Sequence, residues 1–272
     1  MPQLACPICY APLQHEANTL RCEKNHSFDY AKRGYVNLLP VQFRRSKQPG
    51  DDVDMVQARA QFLARGFYQP IAAKLVELIA AHTGANAAHC IDIGCGEGYY
   101  TRAVAAALPL LNIVALDISK SAVHAACAGA STIEWLVASN AHLPMSVHSI
   151  DMAWTLFTPL QTEELTRVLK PEGTLIVVGA GEQHLIELRQ KIYDDVRMKP
   201  FALPTAFDSW QRTDHTLQFT FEVDNAALQQ LLQMTPHFWR VAPVRKEPLQ
   251  QLAQLTLTAD IVFAVLHPPT PH

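Results

Sequence analysis

The apolar positions of the chain fall into short continuous runs separated by stretches of mixed polarity, the pattern of buried strands alternating with amphipathic helices. The runs around Ile91-Asp92-Ile93, over 113–116, over 133–137, over 150–156 and over 174–179 predict five strands. Between them the polarity repeats at helical spacing over 100–108, 119–128 and 165–169, the last stopping before Lys170-Pro171-Glu172-Gly173. Upstream, Asp51 or Asp52 can cap a helix over 53–63 that ends near Gly66, and a second helix follows over 71–81. Downstream the pattern predicts a helix over 185–196, strands over 216–223 and 260–266, and a helix over 226–234 between those strands. Repeated strand-then-helix units imply an α/β fold: a parallel sheet with helices on both faces and ligands at the carboxyl ends of its strands.

Length and composition fit that picture with something left over. At 272 residues, 49% of them hydrophobic, the chain can bury a full α/β core plus one small appended module. The start lacks a basic region followed by an apolar run, and no apolar segment reaches the roughly 18 residues of a membrane span, so a soluble, cytoplasmic protein with no membrane partner is expected. The net charge of −3 does not by itself advertise nucleic-acid binding. Locally the balance reverses. Residues 21–47 hold seven basic side chains (Arg21, Lys24, Lys32, Arg33, Arg44, Arg45, Lys47) against Glu23 and Asp29, an excess of five positive charges.

That basic stretch overlaps a metal-binding pattern. Cys6-x2-Cys9-x12-Cys22-x3-His26 supplies three thiolates and an imidazole, a tetrahedral zinc set, and Cys6-Pro7-Ile8-Cys9 has the spacing of a knuckle that aims two sulfurs at one ion. A disulfide and unrelated buried thiols are the competing readings; a reducing cytosol disfavours the first, and chance seldom gives this spacing. Four protein ligands leave no position for water, so one structural Zn²⁺ per chain is expected, replacing a core that about 40 residues cannot build alone. Behind the ligands, 28–38 interleaves aromatic with basic residues, a surface able to stack on bases while neutralising phosphates, although single rings such as Phe28 and Tyr35 also serve to cover the knuckle. Residues 42–52, broken by Pro49 and Gly50, read as a linker. The organisation is therefore 1–40 as a zinc-binding RNA-recognition module, 41–52 as linker, and 53–272 as the α/β domain.

The chemistry of the larger domain centres on Asp92 through Thr101. Gly94, Gly96 and Gly98 let the backbone turn tightly and approach a ligand, in a G-x-G-x-G spacing distinct from that of dinucleotide folds. Asp117 ends the second strand nineteen residues past Gly98, where a carboxylate can take both hydroxyls of a ribose. Tyr68, just ahead of the loop, either closes over a cofactor or is ordinary packing.

The glycine loop, Asp117, Leu143-Pro144 after the third strand and Leu169-Lys170-Pro171-Glu172-Gly173 before the fifth together resemble a class I S-adenosylmethionine-dependent methyltransferase. With the zinc pattern, Gly34-Tyr35-Val36-Asn37-Leu38-Leu39-Pro40, Gly66-Phe67-Tyr68-Gln69-Pro70, His184-Leu185 and Met234-Thr235-Pro236, nearly the whole chain resembles the RlmA family of 23S ribosomal RNA guanine-N1 methyltransferases. The resemblance implies a Rossmann-like class I sheet, Cys6, Cys9, Cys22 and His26 as zinc ligands, Gly96 and Glu97 in the S-adenosylmethionine loop, and Tyr68 and His184 as outlying cofactor contacts. Many class I enzymes carry Asp at the position of Ser139; here Ser139, Asn140 or backbone takes the adenine amino group. Ala180-Gly181 stands where relatives often have Pro-Gly. Thr158 and Pro159 follow the fourth strand, where such enzymes place substrate-facing residues, and Phe157 can stack on a base. Asp151 and His184 are general-base candidates by chemistry alone, but Asp151 better suits a cap or hydrogen bond at a strand start, and His184 a cofactor contact. Phe238, Trp239 and Arg240 are candidates for RNA contact or core. Methyl transfer to N1 of a guanine in a 23S rRNA hairpin loop is the function implied, with a possible homodimer clamping the hairpin; a small-molecule methyltransferase and a non-catalytic RNA-binding protein are the competitors.

Overall fold

Along the central strands, neighbouring side chains enter different cores: Cys90, Met152 and Trp154 pack into one, Ile91, Ala153 and Ile150 into the other. This two-sided burial is what continuous apolar runs encode. The computed structural model describes residues 3–43, 46, 49–83, 88–128, 132–235 and 248–269. Arg44, Arg45 and Lys47 of the basic stretch, and Phe238, Trp239 and Arg240, lie outside the described residues.

In chain order the strands are β1 (Leu13–Glu16), β2 (Thr19–Cys22), β3 (Ser27–Asp29), β4 (Tyr35–Asn37), β5 (His89–Ile93), β6 (Asn112–Asp117), β7 (Glu134–Val137), β8 (Ile150–Leu156), β9 (Leu169–Ala180), β10 (Gln211–Asp224) and β11 (Gln254–His267). The helices are α1 (Val53–Ala64), α2 (Gln69–Thr83), α3 (Tyr99–Ala107), α4 (Lys120–Ala126), α5 (Thr162–Val168), α6 (Ile186–Ile192) and α7 (Asn225–Gln233). Strands β1, β2 and β3 form a small antiparallel sheet; the other eight form one sheet in the order β10-β11-β9-β8-β5-β6-β7-β4. From β9 to β4 the pairing is parallel, and β11 joins β9 antiparallel. The chain runs outward from β5 to β7 and then returns to β8 on the other side of β5, which makes the gap between β5 and β8 the topological switch point of the sheet.

Three features depart from the sequence pattern. The first is β4: Tyr35–Asn37 falls within the small-module range, yet it pairs in parallel with β7, Val36 opposite Leu136, as the last strand of the large sheet. The second concerns the layers. One face is covered by α1, α2, α3, α4, α6 and α7, through residues such as Phe62, Leu75, Val104, Val123, Leu188 and Leu228. The opposite face, expected to carry helices too, is covered by α5, by Phe207 and Trp210, and by the small module itself, whose Leu4, Leu13 and Leu20 share a core with Leu136 and Met145. The third is length. β10 and β11 have 14 residues each and pair throughout, from Gln211 opposite His267 to Asp224 opposite Gln254. The polar run Gln211-Arg212-Thr213-Asp214-His215 hides the strand signal because an edge strand may keep polar side chains in water. The helix predicted over 185–196 stops at Ile192; Arg189 ties the following turn by donating to the carbonyl of Arg197 at 2.6 Å.

Helix starts follow their capping residues. Of the two candidate caps of α1, Asp52 does the capping, accepting from the Met55 amide at 2.9 Å, while Asp224 caps α7 from the Ala227 amide at the same distance. No helix among the described residues is long and apolar enough to cross a membrane.

Candidate functional site

At the switch point, over the carboxyl ends of β5, β6 and β8, lies a cavity of about 490 Å³. Its wall includes Asp92, Gly94, Gly96 and Glu97 from β5 and its loop, Asp117 from β6, Asn140 after β7, and Phe157, Thr158 and Pro159 after β8. Nine residues singled out from the sequence thus converge on one space.

The glycine loop is shaped by close approach. Gly94 has φ +78°, and a Cβ there would stand 2.3 Å from Thr158 Oγ1, so the loop could not sit against the end of β8 with any larger residue. Gly96 is also left-handed at φ +57°, but the nearest atoms to its missing Cβ belong to Arg59 at 3.8 Å. The Gly96 amide donates to Asp117 Oδ2 at 3.0 Å, and the Ser119 amide donates to Asp117 Oδ1 at 2.8 Å. Burial raises the Asp117 carboxyl above its ordinary range, opposed by those two amides. Each oxygen keeps a lone pair for another donor.

Asp92 is more deeply placed, at 1% exposure, and accepts from Thr101 Oγ1 at 2.6 Å. Its other oxygen, Oδ1, is buried and has no well-formed hydrogen bond among the described residues, and the residue lines the cavity. Burial pushes this carboxyl up to about 7, against the pull of Thr101 and Trp154 and with Asp117 and Glu97 adding like charge. A buried acceptor without a well-formed bond keeps acceptor capacity for a ligand donor. Glu97 is buried and raised for the same reason.

Other expected residues take different places. Gly98 does not line the cavity; its φ of +81° starts α3, and its missing Cβ leaves room for Trp135, 2.6 Å away. Ser139 turns inward to accept from the Ala141 amide at 3.1 Å, so Asn140, which donates to the Pro159 carbonyl at 2.8 Å, is the residue that reaches the wall. Tyr68 and His184 lie one layer back: the His184 ring stacks on Phe157 with centroids 6.1 Å apart, and Tyr68 is buried with its ring centroid 6.3 Å from that of His184. Phe157 itself has φ +55° and is 47% exposed. Asp151 drops out as a catalytic candidate. It stands at the amino end of β8, away from the cavity, where it accepts from the His89 amide at 2.8 Å and pairs with Lys170 at 2.6 Å.

Two charged lining residues carry no motif. Arg59 of α1 pairs with Asp51, the last linker residue but one, and both face the cavity beside Gly50. The charge of Asp51 and its place before a helix suggest only a cap; its role in the wall depends on the linker folding back against Ser119, whose Oγ donates to the Asp51 carbonyl at 2.6 Å.

On the far side of the sheet, Cys6, Cys9, Cys22 and His26 bring their ligand atoms within 4.8 Å of one another. Cys9 Sγ and Cys22 Sγ are 3.7 Å apart, and His26 Nδ1 lies 3.5 Å from Cys6 Sγ and 3.4 Å from Cys22 Sγ. A tetrahedron with Zn–S near 2.3 Å and Zn–N near 2.05 Å has S–S edges of about 3.8 Å and S–N edges of about 3.6 Å. The donor set therefore fits a four-coordinate zinc ion, and all three thiols are free of disulfides.

Comparison with known proteins agrees with both centres. Residues 4–47 match the zinc-ribbon family model described as RlmA, N-terminal, and residues 90–173 match that of a methyltransferase domain. The chain is 34% identical to the 23S rRNA (guanine(748)-N(1))-methyltransferase of Streptomyces fradiae over 97% of this chain and 96% of the relative. It is 32% identical to a candidate 23S rRNA (guanine-N(1)-)-methyltransferase of Micromonospora griseorubida over 90% of each. Among solved structures, a candidate methyltransferase of Bacillus halodurans C-125 superposes with a TM-score of 0.53 at 14% identity, covering 73% of this chain and 100% of that one, which shows the shared fold.

Proposed function

The chain belongs to the RlmA family of 23S rRNA guanine-N1 methyltransferases, and from that premise we propose that it transfers a methyl group from S-adenosylmethionine to N1 of a guanine in a hairpin loop of 23S rRNA. The observation that supports this most is the cavity at the switch point, which joins a glycine cradle and two carboxylates on one side to Phe157, Thr158 and Pro159 on the other. Its volume lies within the roughly 300–1,000 Å³ of small-molecule sites.

The cofactor supplies an activated methyl on a sulfonium, so the protein's task is alignment and exclusion of water. In this reading Asp117 takes the ribose hydroxyls, Asn140 with Ala138 meets the adenine, and Gly94 and Gly96 admit the remainder of the molecule against the loop. Asp92 Oδ1 accepts from a cofactor donor, and Tyr68 and His184 support Phe157 from behind. Phe157, strained and half exposed, offers its ring to the guanine, while Thr158 and Pro159 frame the line of attack. N1 lies on the Watson–Crick edge and carries a proton at neutral pH, so the base must be unpaired and must lose that proton as the methyl arrives. In this reading Arg21, Lys24, Lys32 and Arg33 of the zinc module supply phosphate contacts. The same reading has the protein work in the cytoplasm and includes a homodimer gripping one hairpin; sedimentation with and without the hairpin reports the dimer.

The test is primer extension along 23S rRNA from cells with and without the gene. N1 methylation blocks pairing, so one guanine stop should vanish in the deletion and return with the wild-type gene. Identical stop patterns in both strains would remove the rRNA assignment, and absence of calorimetric binding to S-adenosylmethionine would remove the enzyme reading altogether.

A further inference from the structure

We propose that Arg59 and Asp51 form an exchangeable ion pair that receives the amino-acid end of the methyl donor, Arg59 taking its carboxylate and Asp51 its ammonium. This rests on the cofactor reading above and adds the residues that select a zwitterionic ligand.

The charge inventory of the cavity is lopsided. Among the described residues lining it are four carboxylates, Asp51, Asp92, Glu97 and Asp117, and a single cation, Arg59. A ligand with an α-carboxylate would meet repulsion everywhere except at that guanidinium. Arg59 is only a quarter exposed and is spent on Asp51, which is similarly covered. A ligand with a carboxylate alone would have to strip Asp51 of its partner and leave that acid unpaired, a costly outcome in a partly buried place. A ligand with both charges at one end replaces each partner with its own, so the pair opens without stranding either residue.

Position agrees with charge. The sheet order β8-β5-β6-β7 lays the cavity out as a line: Ala138 and Asn140 beyond β7, Asp117 on β6, then the β5 loop. With a ribose at Asp117 and the base toward β7, the other end of the ligand must run toward β5, and Arg59 faces that loop, 3.8 Å from the Cβ position of Gly96.

Both partners are also anchored by bonds that the ligand would leave untouched. Arg59 Nη2 donates to the Met234 carbonyl at 3.2 Å, and the Asp51 carbonyl accepts from Ser119 Oγ at 2.6 Å. Gly50, at φ +81°, lets the linker press so close that a Cβ would stand 2.8 Å from Ser119 Cβ. The Arg59 guanidinium and the Asp51 backbone are therefore held beside the cavity whether or not the two charges touch, which is preorganisation for an incoming ion pair.

The test compares two probes on the full-length zinc-loaded protein by calorimetry: S-adenosylhomocysteine, which has the zwitterionic end, and 5′-methylthioadenosine, which lacks it. Arg59→Ala and Asp51→Asn should each weaken S-adenosylhomocysteine by about tenfold or more, a charge-assisted contact's worth, while 5′-methylthioadenosine stays within about twofold. Arg59→Lys should recover part of the loss. Equal losses for both probes would mean that the pair merely clips the linker to α1, and unchanged binding of S-adenosylhomocysteine would put its amino-acid end elsewhere; either overturns the inference. Wild-type protein that binds neither probe would sink the cofactor reading, and this one with it.

Discussion

Tyr30 donates a 2.8 Å hydrogen bond to the Glu134 carboxylate, 104 residues further along the chain, and so ties the end of the small sheet to the start of β7. Glu134 is buried, and burial raises its carboxyl above the ordinary range while the Tyr30 hydroxyl and the nearby His15 lower it. The zinc module is thus fastened to the catalytic sheet by a buried polar contact as well as by shared apolar core.

Replacing Tyr30 with Phe keeps the ring and removes the donor. The partly desolvated Glu134 oxygen is then left without it, at a cost of about 1–3 kcal/mol. Urea unfolding at neutral pH should show a lower midpoint with an unchanged slope, and Tyr30→Phe combined with Glu134→Gln should recover part of the loss.

Asp92 predicts a pH dependence. Its folded carboxyl titrates near 7, above the value of an unfolded Asp, so the native state binds this proton more tightly. The associated stability is complete at about pH 4 and below, and is lost as pH rises through about 7. The difference in unfolding free energy between wild type and Asp92→Asn should therefore turn against wild type by a few kcal/mol, order of magnitude, between about pH 4 and pH 8. A flat difference across that range would mean that Asp92 is ionised throughout.

The glycines are not equivalent. Gly94→Ala combines a left-handed backbone with a Cβ 2.3 Å from Thr158 Oγ1, whereas Gly34→Ala, at φ +89°, meets no atom within 4 Å. The second should cost only the backbone strain, about 1–2 kcal/mol. The first should cost that plus displacement of Thr158, and should weaken S-adenosylmethionine by well over about tenfold, read by thermal shift and calorimetry on both variants.

Zinc removal should reach further than the small sheet. Leu4, Leu13 and Leu20 share a core with Leu136 and Met145, so loss of the metal uncovers one face of the main sheet. Cys22→Ala, or a strong chelator, should release one zinc per chain in a colorimetric assay, lower the melting temperature of the whole chain and abolish RNA methylation. Cofactor affinity should change less, because the cavity lies over strand ends and draws none of its lining from residues 1–40.

These contrasts also show what can be read from sequence. Cys6, Cys9, Cys22 and His26 were legible because their spacing within two knuckles nearly determines their geometry, and Gly94, Gly96 and Asp117 because a strand end followed by a tight turn has few backbone solutions. Arg59 and Asp51 were not, since neither has a local signature and their meeting in the cavity depends on where the linker folds back. Asp151 makes the strand-start hydrogen bond that suits an acid beginning an apolar run, to the His89 amide, while nothing in its local sequence shows which end of the sheet it faces. β4 was hidden for a related reason: three residues, Tyr35-Val36-Asn37, carry no alternation long enough to separate a strand from an aromatic cover for the knuckle.

That short strand also bears on the order of events during synthesis. β4 leaves the ribosome early, but β7, against which it pairs, follows about a hundred residues later, and the two strands are parallel, the slower kind of pairing to close. Until then Val36 and Leu38, both fully covered in the finished protein, have no sheet to join. A metal-held ribbon that folds on its own ligands would give the nascent chain a completed piece at its front, carrying the waiting strand until β7 emerges to pair with it.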